Sequence, residues 1–492
     1  MKCTLAKRIK RNRFIAVGLL MLTFVIWKYR ATSGKYGNLG EVDINERIFK
    51  NLTFFAVENA RIIKKSFGSH ILIRFANSLN KKGADTQVIL TVTNAMLPKK
   101  IVFENVLSNE YPTKERTRTT RRYVRVYAGN DEKITMSIRS LITLSGVAKI
   151  GGRKVVAPRV QDTFFGPNYR YPLKMYFNTS HFNNILALSD YATLVSGKEY
   201  DTECSLGNAS HVFVYFMYKK NDERTKNMLH VSQMKYNAIK KLTNEVGWVK
   251  CPAPKGLING KSKSKYFCVS VKKVTDWSVL EEGVIKGAKC LTLSMWRGIG
   301  GSYRTNFTKK HLKVATRDVQ FAIKPSESIL SEAEKFQWRK LDGHYIGVHI
   351  RGGKVYESHG FPRLKSCLRV LVELLTVLKC ITRIPRVLIA SDMTISSSDA
   401  WRLKGHKNHR QIHHLHRSLI SSTGAVEYEP TAENVDRGVI ALVDMTLLSH
   451  AQHLITVGKG SFQEWIRIKF LERHRDDLSR TWSHISLCSD EE

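Results

Sequence analysis

Between residues 341 and 492, short apolar runs alternate with amphipathic segments, and this alternation limits the fold more than any other feature of the sequence. Apolar strands that alternate with helices are typical of a parallel sheet covered on both faces. The segment 123–160 has the same strand–helix–strand pattern, with apolar positions at helical spacing from Ile134 to Ala148. The sequence therefore predicts an α/β protein with two Rossmann-like domains whose strand ends face one cleft.

The predicted elements are short and closely spaced along the chain. In the first domain they are the strand Tyr123–Ala128, the helix that follows it and the strand Gly151–Val160. In the second domain they are the strands Tyr345–Ile350, Arg386–Ala390, Gly424–Glu429 and His453–Gly458, with helices at Arg363–Leu378, near Ala400, at Val435–Gln452 and from Ser461. Two β-rich runs around a turn occupy 69–95, and we assign no elements between 200 and 295.

The chain is strongly basic, with 80 lysines and arginines against 42 acidic residues and a net charge of +38. Such a charge makes a nucleic-acid partner worth considering. The basic residues are scattered, however, and no zinc-finger spacing or RNA-binding aromatic signature accompanies them. A solvated basic surface, one that could face anionic glycans, is the favoured interpretation, and no nucleic-acid partner is expected.

A basic N-terminal segment followed by an apolar run predicts how the chain is anchored. Phe14–Trp27 contains no charged residue and spans roughly 21 Å as a helix, which Lys28 and Arg30 could extend to the interfaces of a thin membrane. A cleaved signal peptide, with Ala31–Ser33 as its site, is the alternative. We favour a retained signal-anchor at 14–28, with a cytosolic tail at 1–13 and the rest of the chain in the lumen.

Other features fit a lumenal body. N-glycosylation sequons occur at Asn51, Asn178, Asn208 and Asn306. The C-terminal LCSDEE is not an ER-retrieval signal, which favours a single-pass type II protein of the Golgi membrane.

Seven of the eight cysteines would be lumenal, and an odd number leaves at least one unpaired or bonded to a second chain. A disulfide-linked dimer therefore stays open. A continuous helix would hold Cys367 and Cys380 about 20 Å apart, so we predict no bond between them. The predicted bridges lie mainly among Cys204, Cys251, Cys268 and Cys290.

Arg351 follows an apolar strand and precedes two glycines. The carboxyl end of a parallel strand borders the ligand crevice, and strand alternation puts His349 on the same face. A guanidinium forks well onto phosphate, and glycines let a bulky anion approach the backbone. A surface arginine before a tight turn is the alternative.

Three further sites have candidate roles and plain structural alternatives. Gly460 and Ser461 begin a helix after a strand and could bind phosphate through backbone N–H groups, although Ser461–Glu464 also fits a capping box. Asp444 lies within an apolar helix, where a carboxylate needs a partner, either a ligand or a neighbouring group. Asp392 ends another strand and could equally cap a helix.

Metal ligation is not expected anywhere in the chain. The histidine-rich segment Gly405–Arg417 has no zinc spacing and no carboxylate, so we interpret it as a solvated basic loop. The segment Asp201–Glu203 is a weak match to the acidic pair that holds a divalent ion against a nucleotide diphosphate.

The motifs together resemble the GDP-fucose-dependent fucosyltransferase superfamily, which includes protein O-fucosyltransferases and α1,6-fucosyltransferases. YIGVHIRGG is similar to its His-x-Arg strand, and ALVDMTLLSHAQHLITVGKGSFQEWI is similar to its C-terminal block. VLIASD and the segment from YAGNDEK to GGRKVVAPRV also resemble family motifs. The resemblance is close at 343–470, looser at 123–170, and has no counterpart at 29–118.

The resemblance implies a GT-B-like fold with GDP-fucose between the domains and inverting transfer that needs neither metal nor cofactor. Together with the composition of the chain, these patterns predict a stem and small β-rich module at 29–118, a first domain at 119–340 and a nucleotide-sugar-binding domain at 341–492. The resemblance implies that Arg351 stabilises the leaving β-phosphate and that His349 and Asp444 contact guanine. It implies that Asp392 lies near the nucleoside and that Gly460, Ser461 and Phe462 form the diphosphate loop. Gly129 and Asn130 would close over the pyrophosphate. A glycoprotein or glycan is the implied acceptor.

Two departures from the family pattern keep alternatives open. Gly352, Gly353 and Lys354 follow Arg351 where the family often has an acidic residue or a second arginine, and Asn130 is followed by acidic residues rather than glutamine. No general base is assigned, with Asp131, Glu132 and Glu357 as candidates. A transferase of another nucleotide sugar or of sulfate, and a catalytically inactive binding protein, are the alternative functions.

Overall fold

The computed structural model describes most of the chain from residue 121 onward and, as backbone alone, two strands before it. The described residues are 72–80, 83–91, 121–126, 133–166, 168–204, 210–217, 226–227, 229–253, 264–274, 276–294, 316–393, 409–430, 435–474 and 482–488.

A seven-stranded sheet forms the first domain. Its strands are β3 (Arg122–Val126), β4 (Arg153–Val156), β8 (Leu194–Val195), β9 (His211–Met217), β10 (Trp248–Lys250), β11 (Lys265–Ser270) and β12 (Cys290–Ser294), in the order β10-β11-β9-β12-β3-β4-β8. All neighbours are parallel except β10 and β11. A small antiparallel sheet of β5 (Arg159–Gln161), β6 (Phe164–Gly166) and β7 (Tyr171–Pro172) lies between β4 and β8 in the chain.

The second domain contains a six-stranded sheet that draws on both ends of the chain. Its strands are β13 (Ile346–Ile350), β14 (Val387–Ser391), β15 (His453–Val457), β16 (Ser483–Leu487), β1 (Leu72–Asn80) and β2 (Gly83–Thr91), in the order β14-β13-β15-β16-β1-β2. The first five are parallel, and β1 and β2 form an antiparallel hairpin. The β-rich runs predicted within 69–95 are therefore strands, and they extend the second sheet.

Helices connect and cover both sheets. In chain order they are α1 (Ile134–Ile150), α2 (Thr179–Leu188), α3 (Gly197–Cys204), α4 (Gln233–Val246), α5 (Trp277–Glu282), α6 (Thr316–Ala322), α7 (Glu327–Phe336), α8 (Gly352–Thr382), α9 (His409–Thr423), α10 (Arg437–His450) and α11 (Ser461–Arg473). The apolar positions predicted for α1 are buried, and β3–α1–β4 is a parallel strand–helix–strand unit. The predicted α/β architecture with two Rossmann-like sheets is confirmed.

Two predictions about local structure were wrong, and one region without assigned elements contains several. The region 200–295, left without elements, supplies β9 to β12. The predicted strand Gly424–Glu429 is reduced to a single bridge, in which Val426 pairs with Leu388. The histidine-rich loop is largely helical, since α9 begins at His409 and buries Ile412, His416 and Leu419 against the second core.

The helix predicted at Arg363–Leu378 is longer than expected. It begins at Gly352, directly after the strand, and is interrupted at Gly360, where φ is 79° and Pro362 follows. The predicted helix near Ala400 and the anchor at Phe14–Trp27 lie outside the described residues. Within the part of the chain that the structure describes, no helix has the length and apolar character to cross a membrane.

Three disulfides link described cysteines within the chain. Cys204 bonds Cys290 and Cys251 bonds Cys268, as predicted for that group of four. Cys367 bonds Cys488, at the end of β16, rather than Cys380. Cys380 takes part in none of these three bonds, and the predicted possibility of an intermolecular bridge is not tested.

Specific contacts join the two domains. The Arg139 guanidinium of α1 lies 3.5 Å from the Glu464 carboxylate of α11. Phe177 stacks on Trp465 with ring centroids 6.2 Å apart. The Asp436 carboxylate accepts hydrogen bonds from the backbone N–H of Asp162 in the first domain, at 2.7 Å, and of Gly438 in the second. The carboxyl-end loops of the second sheet are thereby held against α1.

Candidate functional site

Arg351 lies at the carboxyl end of β13, the strand next to the β14 edge of the second sheet. β13 is buried along its whole length between β14 and β15. The Arg351 N–H donates to the Val457 carbonyl at the end of β15, at 2.9 Å, and α8 begins at the next residue. The two strand ends are thus side by side, and the loops that follow them meet over the same edge of the sheet.

The Arg351 side chain folds over Gly460 in the loop after β15. A Cβ atom at Gly460 would lie 2.5 Å from Nη1, 2.9 Å from Cδ and 3.0 Å from Cζ of Arg351. Its Nε is buried without a hydrogen-bond acceptor, and the side chain forms no ion pair with a described carboxylate. A buried donor without a partner costs free energy unless a ligand supplies the acceptor.

The helix α11 begins directly beneath this guanidinium. Gly460 is its N-cap residue and provides no side-chain cap, so the predicted capping box of Ser461 and Glu464 does not form. Glu464 instead pairs with Arg139 and Arg317. The first N–H groups of a helix have no partner within it and concentrate positive potential there. A guanidinium and a helix N-terminus therefore meet at one point, which favours an anion.

His349 faces the same side of the sheet as Arg351, as strand alternation predicts. Its ring lies 5.7 Å from the Phe462 ring between centroids, and its Nδ1 is buried without a partner. Burial, with a smaller effect of the Arg351 charge, lowers the pKa of His349 to about 3. The imidazole is therefore neutral at physiological pH and can both donate and accept a hydrogen bond.

Asp392 lies next to the start of α8 and has the helix-capping role named above as its alternative. Its Oδ1 accepts from the Gly353 N–H at 3.0 Å. This carboxylate stabilises the N-terminus of α8, two residues from Arg351. The structure places it near the motif arginine and gives it a local role as well.

Asp444 is on the side of α10 that faces Glu427 and Tyr428, and no described contact joins it to Arg351 or His349. Burial, followed by the charge of Glu427, raises the pKa of Asp444 well above its ordinary 3.8. It makes no hydrogen bond or ion pair with a described residue. A ligand that donates hydrogen bonds to this carboxyl group would favour its ionised form and lower that pKa.

The remaining predicted residues divide into two groups. Glu357 is exposed and lies 3.8 Å from Lys354, and Asn178 caps α2 through Oδ1, which accepts from the His181 N–H. Gly129, Asn130, Asp131, Glu132, Asn51, Asn208 and Asn306 lie outside the described residues.

Sequence reasoning missed two residues that shape the loop after β15. Gly458 has a φ of 84°, and a Cβ there would lie 3.3 Å from the Arg351 carbonyl oxygen. Gln463 is buried and donates from Nε2 to the Val457 carbonyl at 2.8 Å, which fixes the strand end. The Gly-Lys-Gly spacing was a signal for the first, and a polar residue inside the apolar face of α11 was a signal for the second.

Metal ligation has no candidate among the described residues, where no three histidine, cysteine or acidic side chains are grouped closely enough to hold an ion. In α9, His416 lies 3.1 Å from Glu427 and so contacts a carboxylate outside its own segment.

Comparisons with known proteins give structural matches without sequence matches. No protein-family model matches the chain, and no curated protein matches it. Its structure is similar to that of POFUT1 in complex with GDP, with 12% identity and a TM-score of 0.44 over 74% of this chain and 99% of that one. For POFUT1 in complex with GDP-fucose the identity is 12% and the TM-score 0.42, over 74% and 98%.

A second group of similar structures is the fucosyltransferase NodZ from Bradyrhizobium, with 13% identity and a TM-score of 0.34 over 71% of this chain and 93% of that one. NodZ is described as an α-1,6-fucosyltransferase and was also crystallised with GDP, at the same identity and TM-score.

Proposed function

We propose that this protein transfers fucose from GDP-fucose to a hydroxyl group of a glycoprotein or glycan, by an inverting mechanism that needs no metal ion. The observation that carries the proposal is the Arg351 guanidinium. It is an arginine with a buried, unpartnered Nε, folded over Gly460 at the N-terminus of α11. The resemblance of the flanking motifs to those of GDP-fucose-dependent fucosyltransferases supports a nucleoside diphosphate sugar as the anion.

The arrangement suits the charge changes of glycosyl transfer. The acceptor oxygen bonds to C1 of the sugar while the bond from C1 to the β-phosphate oxygen breaks, so negative charge accumulates on GDP. Arg351 and the first N–H groups of α11 would stabilise that charge, and fixed donors of this kind contribute most where charge develops. The acceptor hydroxyl also loses a proton, and we assign no residue to take it.

The other side chains would bind the nucleotide. Neutral His349 and the Asp444 carboxyl group would contact guanine, and Phe462 would line the same pocket. Asp392 would lie near the nucleoside, and Ser461 would contribute to the diphosphate loop. Gly129 and Asn130 would close over the pyrophosphate from the first domain.

We further propose that the protein is a single-pass type II protein of the Golgi membrane. The apolar run Phe14–Trp27 after a basic segment, together with the sequons, supports this topology. Resistance to alkaline carbonate extraction is the expected result, and a mature protein that begins near Gly34 would contradict it.

A panel of activated donors tests the function directly. We expect calorimetric titration of the purified protein to give tighter binding of GDP-fucose than of GDP-mannose, UDP-galactose or an activated sulfate donor. Fucosyl transfer should continue in the presence of a chelator. Preference for another donor would establish one alternative, and donor binding without transfer to any glycan would establish an inactive binding protein. Activity that vanishes with chelator and returns with manganese would disprove the metal-independent mechanism.

A further inference from the structure

A second cavity lies within the first domain, apart from the site around Arg351. It measures about 880 Å³ and is lined entirely by residues of the first domain. Its walls are the carboxyl ends of β3, β4 and β8, one side of α1, and the start of α3. Pockets of roughly 300–1,000 Å³ hold small organic ligands, so this cavity has room for one.

Cations dominate the charged groups of its lining. Arg125, Arg159, Lys174 and Lys198 line it, and Asp201 is the one carboxylate among the lining residues that the structure describes. Lys174 and Lys198 are exposed and have no ion-pair partner in the described part of the chain. The whole chain carries a formal charge of +38. Both the local and the overall charge therefore favour an anionic ligand.

Protein contacts hold Arg125 at the wall before any ligand arrives. Its Nε donates to Thr292 Oγ1 at 3.3 Å, and its guanidinium lies 4.5 Å from the centre of the Tyr200 ring. Thr292 Oγ1 is in turn 2.8 Å from His211 Nε2, in a network buried under the cavity. Asp201, at 3.8 Å from Nη1, is mostly exposed and beyond hydrogen-bond distance. An arginine oriented in advance loses less entropy when it binds an anion.

The rest of the lining combines apolar surface with hydroxyl groups. Leu141, Leu144 and Phe165 provide the apolar part. Ser196 Oγ accepts from the Glu199 N–H at 3.1 Å, which leaves its own O–H able to donate. Sugar rings present apolar faces and hydroxyl edges together. A cavity with apolar, hydroxyl and cationic groups therefore suits an acidic sugar better than a simple inorganic anion.

The helix α1 contacts both this cavity and the helix that begins under Arg351. The helix α1 lines the cavity with Leu141 and is bonded to α11 through Arg139 and Glu464. The cavity and α11 are therefore in contact with the same helix.

We propose that the cavity binds an acidic sugar residue, carrying a carboxylate or a sulfate ester, of the glycan that accepts fucose. This inference rests on the proposed function, because it assigns the second substrate of the same reaction. It makes Arg125, Lys174 and Lys198 specificity-determining residues, and Arg125 is held by the network through Thr292.

Binding of matched charged and neutral saccharides to the purified full-length protein tests the proposal. The probes are sialyllactose, its methyl ester, an unsaturated chondroitin sulfate disaccharide and an acidic hexapeptide, each in the presence of GDP. We expect at least one anionic saccharide to bind. The ester should bind roughly tenfold more weakly than sialyllactose if the carboxylate is the recognised group, on the scale of a charge-assisted hydrogen bond. Preference for the disaccharide over both would identify the sulfate ester.

Variants locate the binding. The double variant Lys174→Gln/Lys198→Gln and the variant Arg125→Gln should each weaken the anionic saccharide roughly tenfold, while Lys235→Gln, on α4, should not change it. Raising salt from about 0.1 M to about 1 M shortens the screening length from about 10 Å to about 3 Å and should weaken binding in the wild type more than in the variants. The double variant changes exposed side chains and avoids the buried network, so a folding defect would not mimic its effect.

Titration of GDP-fucose in the same proteins separates the two proposals. If GDP-fucose binding is unchanged, two results would overturn this inference and leave the proposed function in place. One is equal binding of charged and neutral saccharides, and the other is binding of the acidic peptide alone. Failure of the wild type to bind GDP-fucose would overturn the proposed function itself. Equal saccharide affinity in wild type and variants would also overturn the inference.

Discussion

Two arginines, one at the amino edge of the first sheet and one at the carboxyl edge of the second, differ in the protein acceptors available to their guanidinium groups. Arg153 opens β4 at the amino edge of the first sheet, with a side chain that is 0% exposed. Its Nε and Nη2 donate to the two carboxylate oxygens of Glu281 at 2.8 and 3.1 Å, and Nη1 donates to the Ala288 carbonyl at 2.9 Å. Arg351 follows β13 at the carboxyl edge of the second sheet and has a buried Nε with no acceptor.

The difference separates a structural arginine from one prepared for a ligand. A buried charge is tolerated when it is paired and fully hydrogen-bonded, and Arg153 meets that condition with protein atoms alone. Arg351 is half-buried, and its Nε has no protein acceptor, which an anion from outside would supply. Removing either guanidinium should therefore have opposite consequences, with stability lost at one edge and activity lost at the other.

The largest effect is expected for Glu281→Ala, which leaves Arg153 buried without its carboxylate. Breaking a buried pair from one side destabilises by about 3–5 kcal/mol. Trp277 Nε1 also donates to Glu281, at 3.2 Å, and would lose that acceptor. Denaturant unfolding measures the change, and Glu282→Ala, at the exposed neighbouring residue, should be close to wild type. A loss below about 0.5 kcal/mol would mean that the pair is not structural, since surface substitutions cost that little.

Arg351→Ala should have an effect nearly as large in free energy, but on kcat rather than on stability. Removal of one fixed donor to developing charge typically lowers kcat about 100- to 1,000-fold, and the thermal midpoint should not fall. Arg351→Lys should restore little, because a point charge does not reproduce the fork. Arg369→Ala, at an exposed position of α8, serves as the control. Near wild-type transfer by Arg351→Ala would show that the unpartnered Nε of Arg351 does not serve catalysis.

Gly460→Ala tests the contact that positions the guanidinium. The φ of Gly460 is 177°, an extended conformation that any residue adopts, so the substitution acts through the clash of its Cβ with Arg351. We expect kcat/KM for GDP-fucose to fall about tenfold, equivalent to about 1.4 kcal/mol, with little change in unfolding. At Gly197 a Cβ would meet nothing within 4 Å, so Gly197→Ala is the matched control. Unchanged kinetics would indicate that Arg351 functions in another position.

The smallest effect is a pH dependence of GDP binding through Asp444. The folded protein holds the pKa of this carboxyl group well above 3.8, so its neutral form persists at pH values where the unfolded chain is ionised. Its contribution to stability is full below 3.8 and is lost as pH rises through the folded pKa. Guanine donates hydrogen bonds and favours the ionised form, so GDP affinity should rise severalfold as pH increases through that pKa.

Asp444→Asn should flatten this profile and increase stability at alkaline pH. Affinity measured across pH in wild type and variant checks both expectations. A GDP profile that is the same in the two proteins would remove Asp444 from the guanine site while leaving the arginine comparison intact.

Local patterns were sufficient to predict the elements around Arg351. Strand alternation and the strand-end rule placed His349, Arg351 and Gly460 together, because each rule concerns residues near in sequence or at equivalent ends of parallel strands. The Arg153–Glu281 pair could not be predicted, since its members come from different elements far apart in the chain. The fold of Arg351 over Gly460 depends on loop packing, which periodicity does not report.

The sequence patterns of β9 and α9 were present, but the polar composition around them favoured loops instead. β9 (HVFVYFM) is a continuous apolar run of the kind expected for a buried strand, but polar, irregular sequence surrounds it. In α9, Ile412, Leu415 and Leu419 recur three or four residues apart, a helical spacing that the many histidines and arginines obscured. Tertiary burial of one face determined the structure in both cases.

The hairpin of β1 and β2 sets an order of assembly. β1 pairs in parallel with β16, with Leu72 opposite His484 in the register. This pairing can form only after β16 has been synthesised. The described strands of the first sheet end at Ser294, so they can be complete while the second sheet is still missing β13 to β16. The disulfide between Cys367 and Cys488 closes at the same late stage. During synthesis, the half that holds Arg351 is thus completed after the first sheet, and the β1–β2 hairpin remains without its parallel neighbour until β16 has been synthesised.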